Sequence, residues 1–404
     1  MVNEQMKRLG ANRSVIRDLF EYGKARRAEI GAENVFDFSL GNPSVSAPAI
    51  VHDTLTELLQ SGDPCKLHGY TSAQGDANVR AAIASYLNAT YAANVHADCF
   101  YLTAGAAASL TIALTAVLNA DDEVLLLTPY FPEYRVFVER TGARVVEVPC
   151  CGENFQPDFE ALEKAITKRT RAIIVNSPNN PTGVILTDES AKSLSNLLKQ
   201  ASERYGAPIY LISDEPYREL VYDGAEVPYL ANYYENTISC YSFSKSLSLP
   251  GERIGYVLVS PRTADFDSVY AAVCGAGRAL GFVCAPALFQ YMIPSVLGQT
   301  ADLSVYDTNR RMLYDALRGF GFSVVPPMGA FYLFVKAPNG DAADFCERAK
   351  QKELLIVPSD SFGCKGYVRI AYCVTTEQIR KSLPAFEALA DSYGLLKKNE
   401  RNGI

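Results

Sequence analysis

From Leu55 to about Val259, short apolar runs alternate with helical repeats. The apolar runs are Glu123 to Leu127, Arg144 to Val148, Ala172 to Val175, Ile209 to Ile212 and Thr237 to Tyr241. Between two of them, Glu189 to Arg204 gathers Ala191, Leu194, Leu197, Leu198 and Ala201 on one helical face and meets Gly206 as its stop. Near-continuous apolar strands separated by amphipathic helices predict an α/β fold. Its large domain, residues 51–293, is a mostly parallel seven-stranded sheet covered by helices on both faces. After Pro294 the pattern changes. A helix around Tyr306 to Arg318 leads to short strands near Phe322, Phe331, Leu355 and Val368, then a final helix to Tyr393. This predicts a smaller α+β domain from residues 294–404, with residues 1–50, including Phe36 to Leu40, packed onto it.

The chemistry sits at the ends of the apolar runs. Residues 242 to 255 read S-F-S-K-S-L-S-L-P-G-E-R-I-G. Lys245, between Ser244 and Ser246, is poorly suited to packing. An amine that must attack a carbonyl needs a lowered pKa, which desolvation and a nearby cation such as Arg253 supply. Thr103 to Ser109 reads T-A-G-A-A-A-S between a strand-like run and an apolar helix. Small residues at a helix N-terminus suit either a tight turn or a phosphate. Asn176 to Gly183, N-S-P-N-N-P-T-G, follows a buried strand, where open α/β sheets present ligand-binding groups; a rigid connecting loop is the alternative. Asp214, in D-E-P-Y, has the options of helix N-cap or ligand partner. Arg369, inside the apolar Y-V-R-I-A, is either a strand-edge ion pair or a clamp for a carboxylate.

In this order and spacing, from Gly41-Asn42-Pro43 to Arg369, these stretches resemble the fold type I pyridoxal-phosphate enzymes, specifically the class I/II aminotransferases related to aspartate aminotransferase. The resemblance implies that Lys245 forms a Schiff base with pyridoxal 5'-phosphate and then serves as general base. It implies that Asp214 holds the ring nitrogen protonated, and that Asn180 and Tyr217 hydrogen-bond the ring oxygen. Phe131 matches the aromatic that stacks on the ring. Ser242, Ser244, Arg253 and the backbone around Gly105, Ala106 and Ala107 match the phosphate cradle. Tyr70, in H-G-Y-T, matches a tyrosine reaching the phosphate of a neighbouring subunit, so a homodimer with shared active sites is implied. Arg369, with Asn180 and the Gly41 backbone, would clamp the substrate α-carboxylate. The implied activity is amino transfer between an L-amino acid and a 2-oxo acid, glutamate and 2-oxoglutarate being one pair and aspartate or an aromatic or aliphatic amino acid the partner. A β-eliminating C–S lyase on the same fold is the alternative.

The sequence departs from the aspartate enzymes after Pro286, where C-A-P-A-L-F-Q-Y-M-I lacks the arginine for a second carboxylate. Arg278, upstream in G-A-G-R-A-L-G, is the candidate substitute. The longest apolar stretch, Val269 to Ile293, contains Arg278, glycines and prolines, and reads as a buried segment passing the active site rather than a membrane span.

Composition narrows the rest. The chain has 404 residues, 48% hydrophobic, and a net charge of −7 without a basic block, which argues against nucleic acid or an anionic membrane as main partner. Its ten cysteines contain no C-x-x-C, and three scattered histidines leave no zinc pattern, so no metal is expected. The N-terminus M-V-N-E-Q-M-K-R-L-G lacks an apolar leader, so a cytoplasmic protein is expected. No extension of helix-turn-helix size precedes residue 40, which, with Lys245, Asp214 and Arg369 all present, disfavours a catalytically idle regulator.

Overall fold

A computed structural model describes residues 1–11 and 15–396. Its strands, in chain order, begin with β1 (Phe36–Asp37), β2 (Phe100–Thr103), β3 (Glu123–Thr128), β4 (Arg144–Cys151) and β5 (Gln156–Pro157). There follow β6 (Thr170–Asn176), β7 (Tyr210–Asp214), β8 (Thr237–Ser242) and β9 (Gly255–Val259). The last four are β10 (Tyr332–Lys336), β11 (Leu354–Leu355), β12 (Val357–Pro358) and β13 (Tyr367–Ala371).

Eight strands form one sheet in the order β2-β9-β8-β7-β6-β3-β4-β5. The neighbours β8-β7-β6-β3-β4 pair in parallel, while β9 is antiparallel to both β2 and β8. Seven of these are full strands; the eighth, β5, is a two-residue antiparallel appendage to β4. Every residue of β2, β7, β8 and β9 is buried, as expected for strands covered on both faces. One covering helix, Asp188–Tyr205, starts on the Thr187 hydroxyl, which accepts from the Ser190 amide, and ends at Gly206 with φ 67°. The stop inferred from sequence is thus a left-handed glycine cap.

The C-terminal segment builds a separate three-stranded sheet, β10-β13-β12, and β1 pairs in parallel with β11. Phe38, Phe331, Phe345, Phe386 and their neighbours form the core beneath it. The N-terminal strand therefore joins the C-terminal unit. No named strand forms near Phe322, where a lone bridge joins Val324 to Val335.

One expectation is corrected here. Val269 to Ile293 is not buried throughout: Arg278, Phe282 and Val283 are exposed, and the stretch lies mainly in two helices, Phe266–Leu280 and Ala287–Val296. The first packs on the helix Ala106–Val117, the second on Ala49–Ser61. Left-handed glycine Gly281 (φ 74°) closes the first helix.

Candidate active site

The C-terminal ends of β2, β6, β7 and β8 and the middle of β13 converge on a cavity of about 340 Å³. Lys245 stands just after β8. Burial pushes its amine down to about 8, with Arg253 and Arg369 adding to the effect against an opposing influence of Cys373. Its Nζ donates to the Gly41 carbonyl at 2.7 Å and lies 5.5 Å from the Phe331 ring centre.

Asp214 ends β7 and caps no helix. Its Oδ2 accepts from the Tyr134 hydroxyl and, at 3.4 Å, from Asn176 Nδ2. Its Oδ1 is fully buried without a partner. Desolvation raises this carboxyl to about 7, Tyr134 opposing and Glu215 adding to it. The folded pKa stands above the ordinary 3.8, so the group's contribution to stability is full below about 3.8 and lost as pH rises through about 7. We expect the ligand-free protein to lose stability over that window, by up to about 4 kcal/mol. Asp214→Asn should flatten that part of the Tm-against-pH curve, and an unchanged slope would contradict it.

Arg369, 2% exposed, sits in β13 opposite Phe334 and Val357. Its guanidinium donates to Asn180 Oδ1 at 3.0 Å and to the Ser39 carbonyl, while its Nε is buried and unpartnered. Among the described residues no carboxylate engages it in an ion pair. The strand-edge ion pair is thus excluded among the described residues.

Gly105 (φ 83°) precedes the helix Ala106–Val117, whose first residues, Ala106 and Ala107, line the cavity. A Cβ on Gly105 would come 2.8 Å from an Arg253 nitrogen, so glycine is needed for the arginine to lie against the helix start. Arg253 itself holds a left-handed φ of 51° and donates to the Pro250 carbonyl at 3.1 Å and to the Ser244 hydroxyl at 3.4 Å. The Ser242 and Ser244 hydroxyls are 2.7 Å apart. Strained backbone held in place by its surroundings is characteristic of ligand clamps.

Twelve of the residues singled out from sequence line this one cavity: Gly41, Ala106, Ala107, Phe131, Asn180, Asp214, Tyr217, Ser242, Ser244, Lys245, Arg253 and Arg369. Gly105 adjoins it. Tyr70 and Arg278 do not line it. Tyr70 is 97% exposed, and Arg278 is exposed near the end of its helix. Sequence reasoning passed over Tyr134, Asn176 and Tyr332, which complete the walls. Tyr134 and Tyr332 look like packing aromatics in Y-F-P-E-Y and A-F-Y-L-F, whereas Asn176 was within the motif that sequence singled out as a whole.

Among the described residues three cations, Lys245, Arg253 and Arg369, face the cavity against the single carboxylate of Asp214, so the site suits an anionic ligand. An acceptor lacking a donor (Asp214 Oδ1) and a donor lacking an acceptor (Arg369 Nε) lie among its lining residues. A protonated heterocycle with a phosphate, plus a carboxylate substrate, would satisfy both.

The family model for aminotransferase class I and II matches residues 33–386. The chain belongs to that family. It is an aminotransferase of the fold type I pyridoxal-phosphate group, a transferase of nitrogenous groups. An aminotransferase structure from Eubacterium rectale is 56% identical, with a TM-score of 0.95 over 97% of this chain and 99% of that one. An aspartate aminotransferase of Thermotoga maritima is 29% identical over 91% of this chain and 95% of its own length. An aromatic-amino-acid aminotransferase of Thermococcus litoralis is 28% identical over 93% of this chain and 95% of its own. Among the described residues no helix is long and apolar enough to cross a membrane.

Proposed function

We propose that this aminotransferase works with pyridoxal 5'-phosphate in the cavity around Lys245, and exchanges amino groups between glutamate/2-oxoglutarate and an aromatic or aliphatic amino acid and its 2-oxo acid. The observation that carries the reading is the pairing of unmet needs: Asp214 Oδ1 lacks a donor, Arg369 Nε lacks an acceptor, and both belong to the cavity that holds a lysine with a depressed pKa. Bound there, the cofactor would supply an electrophilic carbon and an electron-withdrawing ring that stabilises charge at the amino acid's Cα.

Asp214 would accept the ring N–H, Asn180 and Tyr217 would face the ring oxygen, and Phe131 would stack on the ring. Ser242, Ser244, Arg253 and the first amides of the helix Ala106–Val117 would hold the phosphate. Arg369 would take the substrate carboxylate, helped by Asn180 and Gly41. Lys245, whose amine at about 8 gives up its proton far more readily than an ordinary lysine, is poised to bind covalently and to take and return the Cα proton.

Ile16, Leu40, Leu110, Phe131 and Phe137 line the cavity, which supports an apolar side chain on one substrate. A second carboxylate would need a further cation. Arg278 could serve only from a neighbouring subunit. A homodimer belongs to the proposal: Cys284 and Gln290 contact Thr71, so exposed Tyr70, Phe282 and Val283 lie on adjoining loops and offer an aromatic contact surface. Tyr70 of one subunit would reach the phosphate of the other. The division into residues 51–293 and 1–50 with 294–404, and a cytoplasmic setting, are parts of the same reading; ten free cysteines support a reducing compartment.

The test is a half-reaction screen, mixing the cofactor-loaded protein with each amino acid and following the visible absorbance. Decay with glutamate and with aromatic or aliphatic amino acids, without pyruvate or ammonia release from cystathionine, is expected. Release of pyruvate and ammonia would make it a C–S lyase instead.

A further inference from the structure

Tyr332 opens β10, is 2% exposed, and touches three parts of the site. Its hydroxyl is 2.9 Å from that of Tyr217. Its ring carries the Arg369 guanidinium at 4.7 Å from the centroid. A Cβ on Gly41 would lie 2.0 Å from its hydroxyl oxygen, so the phenol packs directly on the backbone that receives the Lys245 hydrogen bond.

Two tyrosine hydroxyls in contact have two protons and one shared position. Each phenol has a single O–H to donate, so whichever donates to its neighbour leaves the other's proton free to point elsewhere. Tyr332 faces Arg369, Cys373 and Tyr217, and Tyr217 faces Tyr332, Arg369 and Asp214. Burial raises Tyr332 to about 12 with Arg369 opposing, while Tyr217 is driven well above the ordinary phenol value. Where Tyr332 supplies the proton that lies between the two oxygens, 2.9 Å apart, the Tyr217 proton is free for the cavity that Tyr217 lines.

We propose that Tyr332 is a positioning residue: by donating to the Tyr217 oxygen, it turns the Tyr217 proton into the cavity, onto the ring oxygen of the cofactor. This rests on the cofactor reading above. The donation polarises Tyr217 and strengthens its own hydrogen bond. That favours the anionic ring oxygen and lowers the proton affinity of the lysine–cofactor linkage.

The test is a pH titration of the visible absorbance of cofactor-loaded wild type, Tyr332→Phe, Tyr217→Phe and the double variant. Phenylalanine retains the ring under Arg369 and the core packing, and thermal melts report whether the fold is kept. Tyr332→Phe should raise the titration midpoint by about 0.4 to 1 pH unit, the equivalent of one neutral hydrogen bond. In the Tyr217→Phe background the same change should move the midpoint no further, since Tyr332 acts through Tyr217. An unmoved midpoint in folded Tyr332→Phe, or an equal shift in both backgrounds, overturns the proposal and leaves the cofactor assignment standing. A wild-type protein with no lysine-linked, pH-dependent absorbance overturns the cofactor assignment itself.

Discussion

Lys245→Ala is expected to cut turnover by about 10⁴-fold or more, because proton transfer and covalent capture of the cofactor are lost together. Among the described residues it has no stand-in. Within the cavity the other cations are Arg253 and Arg369, and a guanidinium is not deprotonated in proteins. The variant should still bind pyridoxal phosphate through Asp214, Ser242, Ser244 and Arg253, but borohydride should fix none of it to the chain. The fold should survive. The folded pKa of Lys245, about 8, lies below the ordinary 10.5, so stability rises with pH between those values and the ammonium is an expense to the fold at neutral pH. Removing it should leave Tm unchanged or higher. In the wild type, capture of the cofactor by ligand-free protein should accelerate with pH up to about 8 and then level off. Covalent label on another lysine after reduction would sink the assignment.

Much of this site was legible because its residues interrupt regular patterns. Lys245 between serines, asparagines after a buried strand and Arg369 within apolar Y-V-R-I-A each break the local rule for packing, and functional sites are where such breaks concentrate. The alternation of strands and helices gave the large sheet for the same kind of reason, since fully buried strands leave unbroken apolar runs. Periodicity did not reveal that β9 runs antiparallel, because burial on both faces looks the same in either direction. It also misjudged Val269 to Ile293, read as a buried segment: Arg278, Phe282 and Val283 are exposed, because the apolar residues of this stretch bury one face of each of two helices rather than a whole span. Tyr134, Asn176 and Tyr332 escaped individual assignment because their roles depend on tertiary contacts. Tyr134 reaches Asp214 across 80 positions and Tyr332 reaches Tyr217 across 115, and neither leaves a local polar signature in an aromatic-rich run.

Arg369→Leu should lower kcat/KM for every amino acid by roughly 30- to 4,000-fold, since truncating one partner of a buried charge pair costs about 2–5 kcal/mol. The loss should be uniform because the α-carboxylate is common to all substrates, whereas a side-chain contact would discriminate among them. The geometry adds a second cost. Asn180 Oδ1 and the Ser39 carbonyl both receive hydrogen bonds from this guanidinium and would be left buried without donors. Arg369→Lys separates the two contributions. It keeps a positive charge, but a compact ammonium cannot hold Asn180, Ser39 and a carboxylate in one plane. Lysine should therefore recover only part of the lost kcat/KM. Full recovery would mean that charge alone matters and that the fork over Tyr332 has no directing role. Loss confined to dicarboxylic amino acids would move Arg369 from the α-carboxylate to the side chain, and would overturn the substrate orientation proposed for this site.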